Sequence, residues 1–253
     1  MIHTDPNRAY RQALRPAPGE TFFQVVAGES DLRITARRDL SQEAGAYLAE
    51  VRAGLTNHIL LHPGFRHSLT PLPVEPGEEQ APPVVRAMLE ASRLCQVGPM
   101  AAVAGAVAQA VADRFAPLSP DILVENGGDI YIHTTRPRLV ALLAKPVQGA
   151  RLALRLEPAE SPLALCGSSA TIGHSLSFGA ADLVTVKARS GALADAAATT
   201  LGNLARSPEH LPLVLERAQE LAAFGVLGVF AQVGGQVGVW GDMELAVLED
   251  GQD

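Results

Sequence analysis

The residues best suited to chemistry fall in one stretch, Cys166 to Asn203. It opens on Cys166-Gly167-Ser168-Ser169 and runs through Gly173-His174-Ser175-Leu176-Ser177-Phe178-Gly179. A strand pattern, Leu183 to Ala188, follows, and then Ala194-Asp195-Ala196-Ala197-Ala198-Thr199. Glycines let backbone N–H groups approach a ligand closely, and successive N–H groups form anion-binding concavities. Asp195 and Thr199 are four residues apart in a helical pattern, so a carboxylate and a hydroxyl share one helix face. Oxygen pairs of this kind suit Mg²⁺, which takes one or two carboxylates and completes its shell with water and phosphate. Spacing alone favours the plainer alternative, in which Asp195 is a first-turn carboxylate favoured by the helix dipole and Thr199 packs beside it.

Cys166 has two readings. A free cysteine is usually a small buried hydrophobe. In a polar loop beside His174 it could instead be a thiolate nucleophile. His174 itself could bind phosphate, act as acid or base, or cap the loop. A second constellation is Glu125-Asn126-Gly127-Gly128-Asp129. Asn-Gly between alternating apolar runs predicts a tight hairpin. Its bare backbone beside Asp129 could also border a ligand. His58, His62 and His67 match no zinc spacing and have no cysteine pair. No Gly-x-Ser-x-Gly elbow, Walker loop or Rossmann fingerprint is present.

These residues need elements to hold them. Phe22–Val26 and Leu32–Ala36 read as a hairpin. Asp39 reads as a helix N-cap with Gln42 as its partner, followed by a stripe of Ala44, Leu48, Val51, Leu55 and Ile59. Residues 65–83 are proline-rich and read as a surface loop. Helices follow over 84–94 and 100–115; the second is nearly all Ala, Val and Gly and is expected at the centre of the fold. Ile122–Val124 and Ile130–His133 flank the Asn-Gly turn, and Leu139–Ala144 and Arg151–Leu156 read as strands. Ser207 and Pro208 open a helix to about Ala222. A hairpin over Gly234-Gly235 and a strand over 244–248 close the chain. Hairpins separated by helix pairs predict an α+β fold, antiparallel sheet on one layer and helices on the other.

The chain has 253 residues, a hydrophobic fraction of 47% and a net charge of −7. These values describe a globular protein with a large core and argue against a nucleic-acid footprint, which needs a basic surface. The N-terminal residues lack an apolar signal region, and the run 100–111 is too short to span a bilayer. A cytoplasmic protein, with two free thiols and no membrane partner, is expected. An apolar C-terminal hairpin is compatible with a homodimer.

Together the motifs raise a resemblance. Asn126-Gly127-Gly128-Asp129-Ile130 resembles the Gly-Gly-Asp turn of the ApbE flavin transferases, and Ala194 to Leu201 resembles their Ala-Asp-Ala-x-Ala-Thr-Ala-Leu helix. With Val97 to Gly105 and Gly173 to Gly179 added, the sequence is similar over nearly its whole length to an uncharacterised ApbE-like branch. The resemblance implies a single ApbE-like, T-fold-like α+β domain over 1–253, with its ligand between elements. It implies Mg²⁺ on Asp195 and Thr199, and FAD, FMN or another small anionic ligand in a cleft shaped by Asn126, Gly127, Gly128 and Asp129. Ser168, Ser169, Ser175 and His174 would lie near the phosphates. The activity implied is transfer of FMN from FAD to a protein threonine. Three departures mark the chain: Ala104-Gly105 stands where the transferases carry Lys-Gly, their early Met-Gly-Thr segment has no counterpart, and the segment 174–182 is shorter than their substrate loop. They leave two alternatives beside a flavin enzyme, a sulfur-trafficking protein working through Cys166 and a non-catalytic binding module.

Overall fold

The computed structural model describes residues 17–142, 144–145, 151–170 and 179–248. Its strands are β1 (Thr21–Ala27), β2 (Ser30–Ala36), β3 (Ile122–Asn126), β4 (Asp129–His133), β5 (Arg138–Ala141), β6 (Arg151–Leu156), β7 (Leu163–Ser168), β8 (Leu183–Ala188), β9 (Val226–Val233), β10 (Gln236–Gly241) and β11 (Leu245–Leu248). The helices are α1 (Ser41–Leu61), α2 (Gly64–His67), α3 (Pro83–Cys95), α4 (Val103–Phe115), α5 (Gly191–Leu204) and α6 (Leu211–Leu221).

Eight strands form one antiparallel sheet in the order β1-β2-β3-β4-β7-β8-β9-β10. The helices cover one face. Val124, Tyr131, Ala164, Cys166, Val184 and Val186 point into that layer and meet the alanine-rich faces of α4 and α5. A second, three-stranded sheet, β11-β6-β5, covers part of the other face. There Leu123, Ile130, Ile132, Leu165, Leu183 and Phe230 pack against Val140, Leu154 and Leu156. Alternation along each central strand therefore feeds two cores, as period-two geometry requires.

The expected α+β layering is observed, with local differences. Leu40 rather than Asp39 precedes α1, but the Asp39 carboxylate accepts the Ser41 N–H at 2.8 Å. The proline-rich stretch is not irregular throughout: it begins with α2, whose Phe65 is fully buried. Arg93 pins it by donating to the Leu72 and Pro73 carbonyls and to Glu78. Pro99 starts a 3₁₀ turn, Pro99–Ala102, before α4 begins at Val103. Cys166, Gly167 and Ser168 are not loop residues; they end β7, paired with Val186, Thr185 and Val184. Among the described residues no single helix is long and apolar enough to cross a membrane.

Candidate functional site

α4 and α5 cross almost backbone to backbone. A Cβ on Gly105 would lie 2.1 Å from the Gly191 carbonyl oxygen, and one on Gly191 would lie 2.3 Å from that of Gly105. Ser190 caps α5 by accepting the Leu193 N–H. One turn past Gly191, Asp195 reaches across the crossing, and its Oδ2 accepts the Gly105 N–H at 2.9 Å. The Ala104 N–H bonds to the same carboxyl. Both donors belong to the first turn of α4, where N–H groups lack intrahelical partners. Asp195 therefore caps α4 from the neighbouring helix, a task for which no residue of α4's own N-terminus supplies a side chain. Thr199 follows one turn later and, like Asp195, is half-buried.

The Asn126–Asp129 turn meets this seam from the sheet. Gly127 and Gly128 have φ of +69° and +109°, the left-handed values that glycine adopts without steric cost. Among the described residues no atom beyond the chain neighbours lies within 4 Å of where either Cβ would sit, so these residues leave the turn's backbone open to an approaching group. The Asn126 side-chain amide donates to the Ala104 carbonyl at 3.2 Å and ties the turn to the start of α4. Asp129 points to the helix layer; its Oδ1 accepts the Gly167 N–H at 3.1 Å and its carboxyl also bonds to the Cys166 thiol. That thiol lies 3.7 Å from the Gly191 carbonyl.

Asp129, Cys166 and Asp195 thus share one space. Burial pushes both carboxyls above the ordinary carboxylate range; their mutual repulsion adds to the effect at Asp195, and Glu125 adds to it at Asp129. Bonds from Gly167, Gly105 and Ala104 oppose that rise. Among the described residues no lysine, arginine or histidine forms an ion pair with either acid. Burial pushes the Cys166 thiol well up, and the two neighbouring carboxyls push it further. The thiolate role expected of Cys166 as catalytic group is therefore corrected: the side chain is fully buried and neutral, in surroundings that penalise the anion.

The structure separates the two serines from the acids. Ser168 packs against Gly202, about two turns along α5 from Asp195. Ser169 donates to the Asp182 carbonyl at 2.7 Å. His174 and Ser175 lie outside the described residues. On the sheet's other face a small cavity of ≈ 50 Å³ is lined by Gly128, Ile130, Val140, Leu142, Leu165 and Thr185. Among the described residues no three His, Cys, Asp or Glu side chains gather as a metal cluster.

A family model described as AbpE bacteria matches residues 12–239. The chain belongs to this family. Relatives of this AbpE family chain include a UPF0280 protein of Methanothrix thermoacetophila, 39% identical over 79% of this chain and 83% of that one. Another, from Methanothermobacter thermautotrophicus, is 37% identical over 91% and 89%. The fold is that of the flavin transferase ApbE from Vibrio cholerae, with a TM-score of 0.59 and 12% identity over 88% of this chain and 97% of that one. The apo flavinyl transferase ApbE of Pseudomonas stutzeri matches with a TM-score of 0.55 and 14% identity, over 88% and 94%.

Several groups at the seam carry no sequence signature. The Gly105 N–H, Gly191 and Tyr131 gain their roles from the helix crossing. Gln109 could have been singled out as an uncharged polar side chain in an otherwise apolar helix face.

Proposed function

We propose that the chain is a Mg²⁺-dependent enzyme that binds a flavin diphosphate beside the α4–α5 seam and transfers FMN to a protein hydroxyl. The observation that carries the reading is the Asp195 carboxyl. Its Oδ2 is held by the first turn of α4, and Asp129 faces it with no cation paired to either acid among the described residues. Two carboxyls, with the Thr199 hydroxyl one turn along α5 from Asp195, would make a hard oxygen donor set, which fits Mg²⁺ and does not fit a soft metal. Bound there, Mg²⁺ would neutralise charge building on a diphosphate.

The chain's own residues then have distinct tasks. Asp195 and Thr199 hold the cation. Gly127 and Gly128 let the ligand approach the turn, and Asn126 keeps that turn on α4. His174 and Ser175 belong to the phosphate side on this reading. The attacking hydroxyl oxygen bonds to the FMN phosphorus, the diphosphate P–O bond breaks, AMP leaves with the electron pair, and the hydroxyl proton passes to solvent or a base. The ApbE fold and the names of its solved neighbours support the substrate class.

The test is a thermal-shift titration with FAD, with and without Mg²⁺, on the native chain and on Asp195→Ala. A Mg²⁺-dependent rise that Asp195→Ala abolishes is expected, because a ligand bound only by the native state stabilises it. An FAD response indifferent to Mg²⁺ and to Asp195 would leave a binding module, and no response would end the flavin reading.

A further inference from the structure

Two helices that touch through glycine backbone have few side-chain ridges to fix their register. Gly105 against Gly191 is such a contact. Something else must set where along α4 the Asp195 carboxylate falls, and the polar groups beside the crossing do so. One turn along α4 from Gly105, the Gln109 Oε1 accepts the Gly191 N–H at 2.8 Å. One turn along α5 from Gly191, Asp195 accepts the Gly105 N–H at 2.9 Å. The four positions form the corners of an antiparallel ladder: 105 and 109 on one helix, 195 and 191 on the other.

Gln109 is itself oriented. Its Nε2 donates to the Tyr131 hydroxyl and to Asp113 Oδ2, each at 3.3 Å. Tyr131, buried on β4, donates its own proton to the Arg189 carbonyl at 3.3 Å, which leaves an oxygen lone pair for Gln109. Asp113 is held in turn by His133 at 2.7 Å. These bonds fix the amide with its oxygen toward α5. They also anchor the end of α5, through Gly191 and Arg189, to both α4 and the sheet.

We propose that Gln109 is a positioning residue: by holding the Gly191 N–H it sets the register of α5 on α4 and so places the Asp195 carboxylate for a divalent cation. The proposal rests on the reading of Asp195 as a cation ligand. Gln109 touches neither cation nor substrate; it acts through the helix. Groups that orient a ligand from behind typically change metal affinity about 10–100-fold when removed.

The experiment is a Mn²⁺ titration followed by electron paramagnetic resonance, with melting temperatures measured free of metal. Gln109→Met keeps the side-chain length and removes the acceptor; Gln109→Glu keeps an acceptor oxygen for Gly191. The Met variant should bind Mn²⁺ about tenfold more weakly or worse, and the Glu variant should recover most of that loss. A Met variant that melts earlier yet binds Mn²⁺ like the native chain would make Gln109 merely structural and overturn the proposal. So would equal losses in both variants. If Met fails to fold, Gln109→Asn, one methylene too short, takes its place with the same outcomes. Asp195→Ala separates the two levels. Should the native chain and Asp195→Ala bind Mn²⁺ equally or not at all, the ligand reading fails and the proposal with it. Should only Asp195→Ala lose binding, the ligand reading stands and the Gln109 proposal falls.

Discussion

Two regions of this protein withdraw carboxylates from water and treat them in opposite ways. Just before β1 and β3, Glu20 and Asp121 are surrounded by arginines: Arg136 and Arg138 on Glu20, and Arg37 with Arg138 on Asp121. Asp121 also accepts bonds from the Thr135 N–H and from the Thr134 and Thr135 hydroxyls. Burial by itself would raise its pKa, but the Thr135 amide and the Arg37 guanidinium outweigh it and hold the group at about 2. At the α4–α5 seam, Asp129 and Asp195 have backbone donors and no guanidinium among the described residues, and both are pushed up. A satisfied ion network holds structure together. An acid pair held by backbone dipoles and a neutral thiol, with no paired cation, is one that a bound cation can neutralise.

The largest expected effect tests whether the seam depends on its backbone contact. Gly105→Ala puts a Cβ 2.1 Å from the Gly191 oxygen and 2.9 Å from the Asp195 Cβ. Neither helix can yield without moving from the sheet, so a loss of about 3 kcal/mol is expected in denaturant titration. A loss under about 1 kcal/mol would mean that the crossing is looser than the structure shows.

The next effect belongs to the arginine-matched region. Asp121 has a depressed pKa, so its contribution is present above the unfolded value near 4 and is lost as pH falls toward about 2. Asp121→Asn should cost about 2 kcal/mol at pH 7 and remove that part of the acid limb. Stability measured from pH 2 to 7 checks both the size and the slope.

At the seam the same change should have the opposite sign. Asp195→Asn keeps an acceptor for Gly105 and removes repulsion with Asp129, so without divalent cations it should raise stability by about 1 kcal/mol at pH 7. In the native chain a raised carboxyl pKa means stability present below the ordinary carboxylate range and lost as pH climbs through the raised values. The asparagine variant should lack the part of that loss that belongs to Asp195, keep the part that belongs to Asp129, and gain nothing from Mg²⁺. Destabilisation equal to that of Asp121→Asn would place Asp195 with the structural acids and erase the contrast between the regions.

The two regions also differ in how far the sequence discloses them. The Asn126–Asp129 turn was legible because Asn-Gly demands left-handed backbone, and Gly127 and Gly128 supply it. Asp195 and Thr199 were legible as one helix face. The arginine network was not, because Glu20 meets Arg138 across 118 residues and no local pattern encodes such a meeting. The three-stranded sheet escaped for the same reason: β11 pairs Leu245 with Leu154, far back in the chain. Cys166-Gly167-Ser168 read as a loop because small residues are poor strand formers. Pairing with β8, which continues the register of Ala164 and Leu165, overrides that preference.

The smallest effect is on a rate rather than on stability, and it tests whether the seam is closed at rest. Cys166 lies between the two acids, while Cys95 sits on α3, and both are buried. Burial pushes the Cys95 thiol up to about 12 and Cys166 well up too. In folded protein at pH 8 both should resist iodoacetamide, alkylating only at the rate of opening, because the thiolate is the reactive species. Peptide mass mapping over time resolves the two. Equal slow labelling makes the seam as closed as the core. Labelling of Cys166 far ahead of Cys95 would show that α5 parts from β7 in the native state. It would also return an accessible thiol to the sulfur-transfer alternative, which the static geometry denies it.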